Sequence, residues 1–161
     1  MKELDFLNRL KKEKKIRLLE SNSELKNSYL EKSKSNLIAA KILLANNRFE
    51  ESVSLSYYSM YHSLSALLYL VGIKSENHSA SIIILKEIFS IDNSKLLFAK
   101  KERVDKQYYT SFFISKEDVK EMITIAENFN NLILEFFSNL KTEQIKFYRN
   151  KFISLLKFKK I

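Results

Sequence analysis

The two histidines, His62 and His78, are the side chains of this 161-residue sequence best suited to moving a proton near neutral pH. His62 lies in the run Ser54-Leu55-Ser56-Tyr57-Tyr58-Ser59-Met60-Tyr61-His62. The helical spacing of that run predicts a structural histidine, with one ring nitrogen bonded inside a bundle or at a seam between subunits. His78 follows Ser75-Glu76-Asn77 near a predicted helix start, where free backbone N–H groups favour a phosphate. A local cap or an interface contact is its other role. Arg103 opens the segment Arg103-Val104-Asp105-Lys106-Gln107-Tyr108. Its guanidinium suits an anion, with Asp105 either a plain ion-pair partner or part of the same site. Tyr108 carries a phenol of ordinary pKa ~10, a poor base at neutral pH. Tyr57, Tyr58 and Tyr61 can stack on bases, although aromatic residues at helical spacing more commonly pack a core.

Composition removes other chemistries. With no cysteine there is no thiol nucleophile, disulfide framework or cysteine metal site, and two histidines without a His-Glu-x-x-His run do not make a zinc centre. A single glycine excludes the familiar glycine-rich phosphate loops, and no serine sits in a nucleophile elbow. Neither a metal nor a cofactor is expected. The net charge of +9 is terminal. The first twenty residues carry seven Lys or Arg against four acidic groups, about +3, and residues 141–161 carry seven against Glu143, about +6. Arg149 and Lys151 in that tail are candidate RNA or nucleotide contacts. An anionic membrane surface, or water alone, would also suit so basic an end. No apolar run reaches the ~18–20 residues of a membrane span, and the mixed charge of Met1 to Asp5 is unlike a signal peptide, which predicts a cytoplasmic protein.

The elements that must position these residues read as helices. Phe49, Val53, Tyr57, Met60, Leu64, Leu67 and Val71 recur at intervals of four and three, a second apolar strip lies beside them, and beyond Tyr57 no charge appears until Lys74. This central helix, about residues 50–72, must be buried on most sides, with Gly72 closing it in the left-handed conformation. Before it, residues 24–45 form a helix capped by Ser23, with Leu25, Tyr29, Ser33, Leu37, Ala40 and Leu44 inward. Asn46-Asn47 turns the chain back antiparallel. After Gly72 comes a short connection, then a helix from Glu76 capped by Ser75, then a short helix from Lys95 and a loop through residues 110–114. Ser115 and Asp118 form a near capping box for a long helix ending near Leu140, and Thr142 caps a last basic helix. No strand is expected. Residues 3–20 read as a basic helix. The expected fold is an all-α, antiparallel up-and-down bundle of five to six helices, divided into a basic N-terminal helical extension (1–22), the bundle proper (23–140) and a basic amphipathic C-terminal helix (141–161).

The order Tyr29-Leu30-Glu31-Lys32-Ser33, Ala39-Ala40-Lys41, Phe49-Glu50-Glu51-Ser52-Val53, Ser56-Tyr57-Tyr58-Ser59-Met60-Tyr61-His62-Ser63, Leu67-Leu68, Gly72-Ile73 and His78-Ser79 resembles a HEPN domain, more narrowly its small prokaryotic branch, over about residues 24–137. The resemblance implies an antiparallel bundle that dimerises through its long helices. Active members of that family are metal-independent ribonucleases, often the toxin half of a toxin–antitoxin pair. Others bind RNA or nucleotides beside a small nucleotidyltransferase. Active members carry Arg, four to six residues, then His. Here Arg103 is in place, Tyr108 stands where histidine would be, and Leu55 replaces the arginine before the Tyr-Tyr pair. The resemblance thus implies Arg103, Tyr108 and His78 as catalytic candidates, in a degenerate Arg-x4-Tyr motif. Tyr57, Tyr58, His62 and Asp105 join Arg149 and Lys151 as RNA or nucleotide contacts. The implied partners are a second copy of the chain, a nucleotidyltransferase antitoxin, and RNA or nucleotide. The alternative is a non-catalytic helical module that binds a partner protein.

Overall fold

The computed structural model describes residues 1–108 and 113–159, with backbone only at 107 and 108. Among these residues are seven helices and two short strands: α1 (Lys2–Lys12), β1 (Ile16–Leu18), α2 (Ser23–Ala45), α3 (Phe49–Val71), β2 (Ile73–Ser75), α4 (His78–Phe89), α5 (Ser94–Tyr108), α6 (Lys116–Asn139) and α7 (Thr142–Leu156). The all-α class holds, with more helices than the five or six expected.

Helix α3 is the axis, packed by α2, α5 and α6 and met at its end by α7. Tyr57, Met60, Leu64 and Leu67 are fully buried, as the periodicity predicts. The α2–α3 contact is built on small polar residues rather than on leucines. Ser33 donates to the Ser59 carbonyl at 2.7 Å, and Ser59 donates back to the Ser33 carbonyl at 2.8 Å. Ser52 donates to the Ala40 carbonyl at 2.7 Å. A hydroxyl that bonds the facing backbone lets two helices approach closely while leaving no buried polar group unsatisfied. Asn130 of α6 joins the network, accepting from Ser63 at 2.7 Å and donating to Ser59 at 2.8 Å. The α2–α3 turn uses Asn47 at φ 57°.

Helix α3 ends as expected at Gly72, left-handed at φ 77°. Its last carbonyls, which have no partner within the helix, are met from outside. The Asn22 amide bonds Tyr69 O at 3.1 Å, the Ser21 hydroxyl bonds Leu70 O, and Arg149 Nη1 bonds Val71 O at 2.9 Å and also Leu19 O.

Residues 3–20 depart from the expected single helix. Lys14 adopts φ 59°, and the chain then extends to pair antiparallel with β2, Ile16 opposite Ser75 and Leu18 opposite Ile73. Burial of Ile16 and Ile73 explains why three residues suffice. Three caps also shift, and at α7 Lys141 rather than Thr142 holds the N-cap position, Thr142 being the first helical residue. Asn22 rather than Ser23 caps α2, accepting from the Leu25 amide at 2.8 Å. Asn77 rather than Ser75 caps α4, accepting from the Ala80 amide at 2.9 Å, because Ser75 is held in β2. The capping box of Ser115 and Asp118 forms as read, with bonds of 2.9 and 3.0 Å. The segment from Lys95 is a full helix. Residues 110–112 of the loop expected after it lie outside the described residues.

Residues 1–22 and the described tail 141–159 pack onto the bundle. Leu7 and Leu10 of α1 and Phe152 and Leu156 of α7 belong to the same core as Tyr57 and Leu64. Phe152 and Leu156 are therefore not available to a membrane surface. Among the described residues no helix is long and apolar enough to cross a membrane.

Candidate functional site

Helices α3, α4 and α5 bring four of the candidate residues together. The Tyr57 hydroxyl and His78 Nδ1 lie 2.7 Å apart, and the His78 ring stacks on Tyr61 at 3.8 Å and 17°. The Arg103 guanidinium sits over Tyr58 at 4.9 Å and Tyr57 at 5.5 Å, a cation–π arrangement with both rings. Among the described residues its buried Nε has no hydrogen-bond partner. Lys100, one helical turn before Arg103 on α5, donates to the Ser79 hydroxyl beside His78.

The electrostatics are those of a cationic pocket. Burial first, then the charges of Arg103 and Lys100, hold His78 down to about 4. Burial and Arg103 also lower Lys100. Burial raises Tyr57 well above an ordinary phenol, so its hydroxyl keeps its proton and shares a hydrogen bond with His78 Nδ1. When Nδ1 is the acceptor, the neutral imidazole carries its hydrogen on Nε2. The pocket in this state offers donors: a guanidinium, an ammonium and an imidazole N–H. That is the chemistry of an anion seat. Among the described residues, no group of three or more His, Asp or Glu side chains could hold a metal ion.

His62 is half-buried between Tyr29 (5.6 Å) and Tyr58 (6.1 Å), and its Nδ1 is buried without a partner among the described residues. Burial and Lys32 lower its pKa. Asp105, two residues beyond Arg103 on α5, is turned about 200° away around the helix and does not share its face. The side chain of Tyr108 lies outside the described residues.

Arg149 and Lys151 are not brought to this cluster. Arg149 bonds the end of α3, about 21 Å along the helix from Tyr57. Lys151 donates to Ile88 O near the end of α4 at 2.9 Å. Replacing Arg149 by Met is expected to lower stability by about 1–3 kcal/mol, because the partly buried carbonyls lose their donor. Urea unfolding measures that, and oligonucleotide affinity should be unchanged in the same variant. Lys100 is the site residue that sequence reasoning missed. Its signal was the i, i+3 spacing to Arg103.

The sequence matches the HEPN domain family over residues 27–137. The chain belongs to the HEPN family. Among its relatives, a UPF0332 protein of Pyrococcus horikoshii is 46% identical over 46 residues, 29% of this chain and 32% of that protein. A candidate toxin of Methanocaldococcus jannaschii is 27% identical over 107 residues, 62% of this chain and 79% of that protein. A UPF0332 protein of Thermotoga maritima is 28% identical over 118 residues, 63% of this chain and 83% of that protein. The HEPN chain thus spans about a third of the first relative and about four fifths of the other two. The whole Arg103–Tyr58–Tyr57–His78 cluster falls inside the HEPN match.

Proposed function

We propose that this HEPN protein binds RNA through a phosphate seat made by Arg103, Lys100 and His78, and that it is a metal-independent ribonuclease of the toxin type. The observation that carries the reading is the half-buried Arg103, its buried Nε without a partner among the described residues, beside a neutral histidine bonded to Tyr57. A phosphodiester in this seat partly cancels the Arg103 and Lys100 charges that hold His78 low. The imidazole pKa then rises toward neutrality, where it can protonate a leaving oxygen. In strand cleavage the 2′-hydroxyl attacks phosphorus, its proton passes to water, Arg103 stabilises the phosphorane charge and His78 protonates the departing 5′-oxygen. Tyr108 remains a candidate from its place in the Arg-x4-Tyr motif. A homodimer and a nucleotidyltransferase antitoxin belong to the same proposal. The similarity to the candidate toxin supports it, and half-exposed Ile38 and Ile42 on α2 and Leu134 on α6 supply apolar surface for a partner.

The test is a histidine NMR titration with and without a short oligoribonucleotide. In the free protein His78 should titrate near 4. In the unfolded chain it titrates near 6.5, so between these values the unfolded state binds more protons. Its contribution to stability is therefore full above about pH 6.5 and is lost as pH falls toward about 4. The oligonucleotide should raise the His78 pKa. A normal His78 pKa that the ligand leaves unmoved contradicts the phosphate seat.

A further inference from the structure

The two-stranded ribbon of β1 and β2 places two like charges side by side. In its antiparallel register Arg17 stands directly opposite Lys74. Like charges so placed destabilise a strand pair. Both turn to Glu76, at 3.1 and 3.2 Å, and both reach the same oxygen, Oε1. Lys74 first, and then Arg17, hold that carboxyl below its ordinary range. A guanidinium has five N–H donors and an ammonium three, more than one carboxylate oxygen can take. Among the described residues neither side chain bonds another acceptor. Both remain open to a ligand, with Arg17 45% and Lys74 31% exposed.

The ribbon is firmly anchored beside the Arg103 seat. Ile16 and Ile73 are buried in the core. Backbone bonds close both ends of the ribbon, from Leu19 N to Gly72 O at 2.8 Å and from Glu76 N to Lys15 O at 2.9 Å. Glu76 precedes His78 by two residues, so their Cα atoms lie within about 7 Å of each other. In chain order His78 is bracketed by cations. Lys100 donates to Ser79 just after it, and Arg17 and Lys74 meet at Glu76 just before it. A nucleic acid strand carries a phosphate on every nucleotide. A strand with one phosphate at Arg103 and Lys100 therefore brings a neighbouring phosphate toward the ribbon.

We infer that Arg17 and Lys74 form a second phosphate contact, which takes a backbone phosphate of the RNA flanking the one in the Arg103 seat. Glu76 occupies the two cations in the free protein and yields to the phosphate, which offers them more acceptor oxygens. The inference rests on the proposed RNA-binding function and adds to it a contact with the strand beyond the seat. A contact to the backbone positions the strand and reads no base sequence.

The experiment measures the affinity of the full chain, at two salt concentrations, for two labelled 2′-O-methyl oligoribonucleotides, a dinucleotide with a single phosphate and an eight-mer. Arg17→Gln and Lys74→Gln should each weaken the eight-mer about three- to tenfold, flatten its salt dependence and leave the dinucleotide unchanged. Lys120→Gln removes the same charge from an exposed position on α6 and should change neither. Arg103→Ala should weaken both ligands. An eight-mer weakened no more by the ribbon variants than by Lys120→Gln overturns the second contact. So does equal weakening of the dinucleotide, which would put the ribbon in the seat itself. If Arg103→Ala still weakens both ligands, the seat stands without the ribbon; if it too changes nothing, the seat fails as well. Should the ribbon variants not fold, Glu76→Gln decides, because it keeps both cations and removes their competitor. A tighter eight-mer then supports the contact, and an unchanged or weaker one overturns it.

Discussion

Gly72→Ala is expected to be among the most destabilising single substitutions in this protein, costing about 3–8 kcal/mol. Three effects add. A side chain at φ 77° pays the left-handed penalty of about 1–2 kcal/mol. Its Cβ would lie well inside contact distance of Leu19 O and of Arg149 Nη1. The Leu19 oxygen is backbone and cannot swing aside, so overpacking adds about 1–3 kcal/mol. Displaced from its place, Arg149 also releases the Val71 carbonyl it holds at 2.9 Å, costing about 1–3 kcal/mol more. A domain of this size is commonly stable by only about 5–15 kcal/mol, so the loss is visible in urea unfolding or as failure to fold. Gly72→Asn separates the causes. Asparagine tolerates the left-handed conformation, yet its Cβ meets the same atoms, so it should recover little. Near-wild-type stability for Gly72→Asn would show that the crossing of residues 19–20 over the helix end is looser than described.

Arg103→Ala should act almost entirely on function. Charge-assisted bonds to a phosphate are worth about 1.5–3 kcal/mol, so RNA affinity should fall about ten- to a hundredfold and its salt dependence should flatten. The fold should barely notice. Among the described residues the side chain's Nε makes no bond to lose, and the cation–π energy forfeited over Tyr57 and Tyr58 is offset by relief of repulsion with Lys100 and by easier ionisation of His78. The same variant should raise the pKa of His78, read by NMR. Arg103→Lys keeps the charge but loses the planar fork, and should remain well below wild type in affinity. A drop of several degrees in melting temperature with unchanged RNA binding would make Arg103 a packing residue.

Much of the framework was legible because helical periodicity over twenty residues is hard to mistake. The burial of Tyr57, Met60, Leu64 and Leu67, the Gly72 terminus and the Ser115–Asp118 box all follow from local rules. Strand β1 was not legible. Its three residues sit in a lysine-rich run, and the partner that makes them a strand lies more than fifty residues away. The caps slipped by one or two positions where several capable residues adjoin, in Ser21-Asn22-Ser23 and Ser75-Glu76-Asn77, and tertiary contacts chose among them.

At the site, residue types named Arg103, His78 and Tyr57, but no spacing rule pairs a phenol on one helix with an imidazole on the next at 2.7 Å. Lys100 escaped notice because it looks like an ordinary helix residue until α4 and α5 meet. Basic charge misled at Arg149 and Lys151. Net charge marks electrostatic potential, whereas the fold decides which cations hold backbone carbonyls.

The most direct measurement incubates the purified protein and its Arg103→Ala variant with total RNA in excess EDTA. Cleavage by the wild type, absent in the variant, is the predicted result. Intact RNA with both proteins, each folded and free of inhibitor, or equal cleavage by both, would contradict a metal-independent RNA site centred on Arg103.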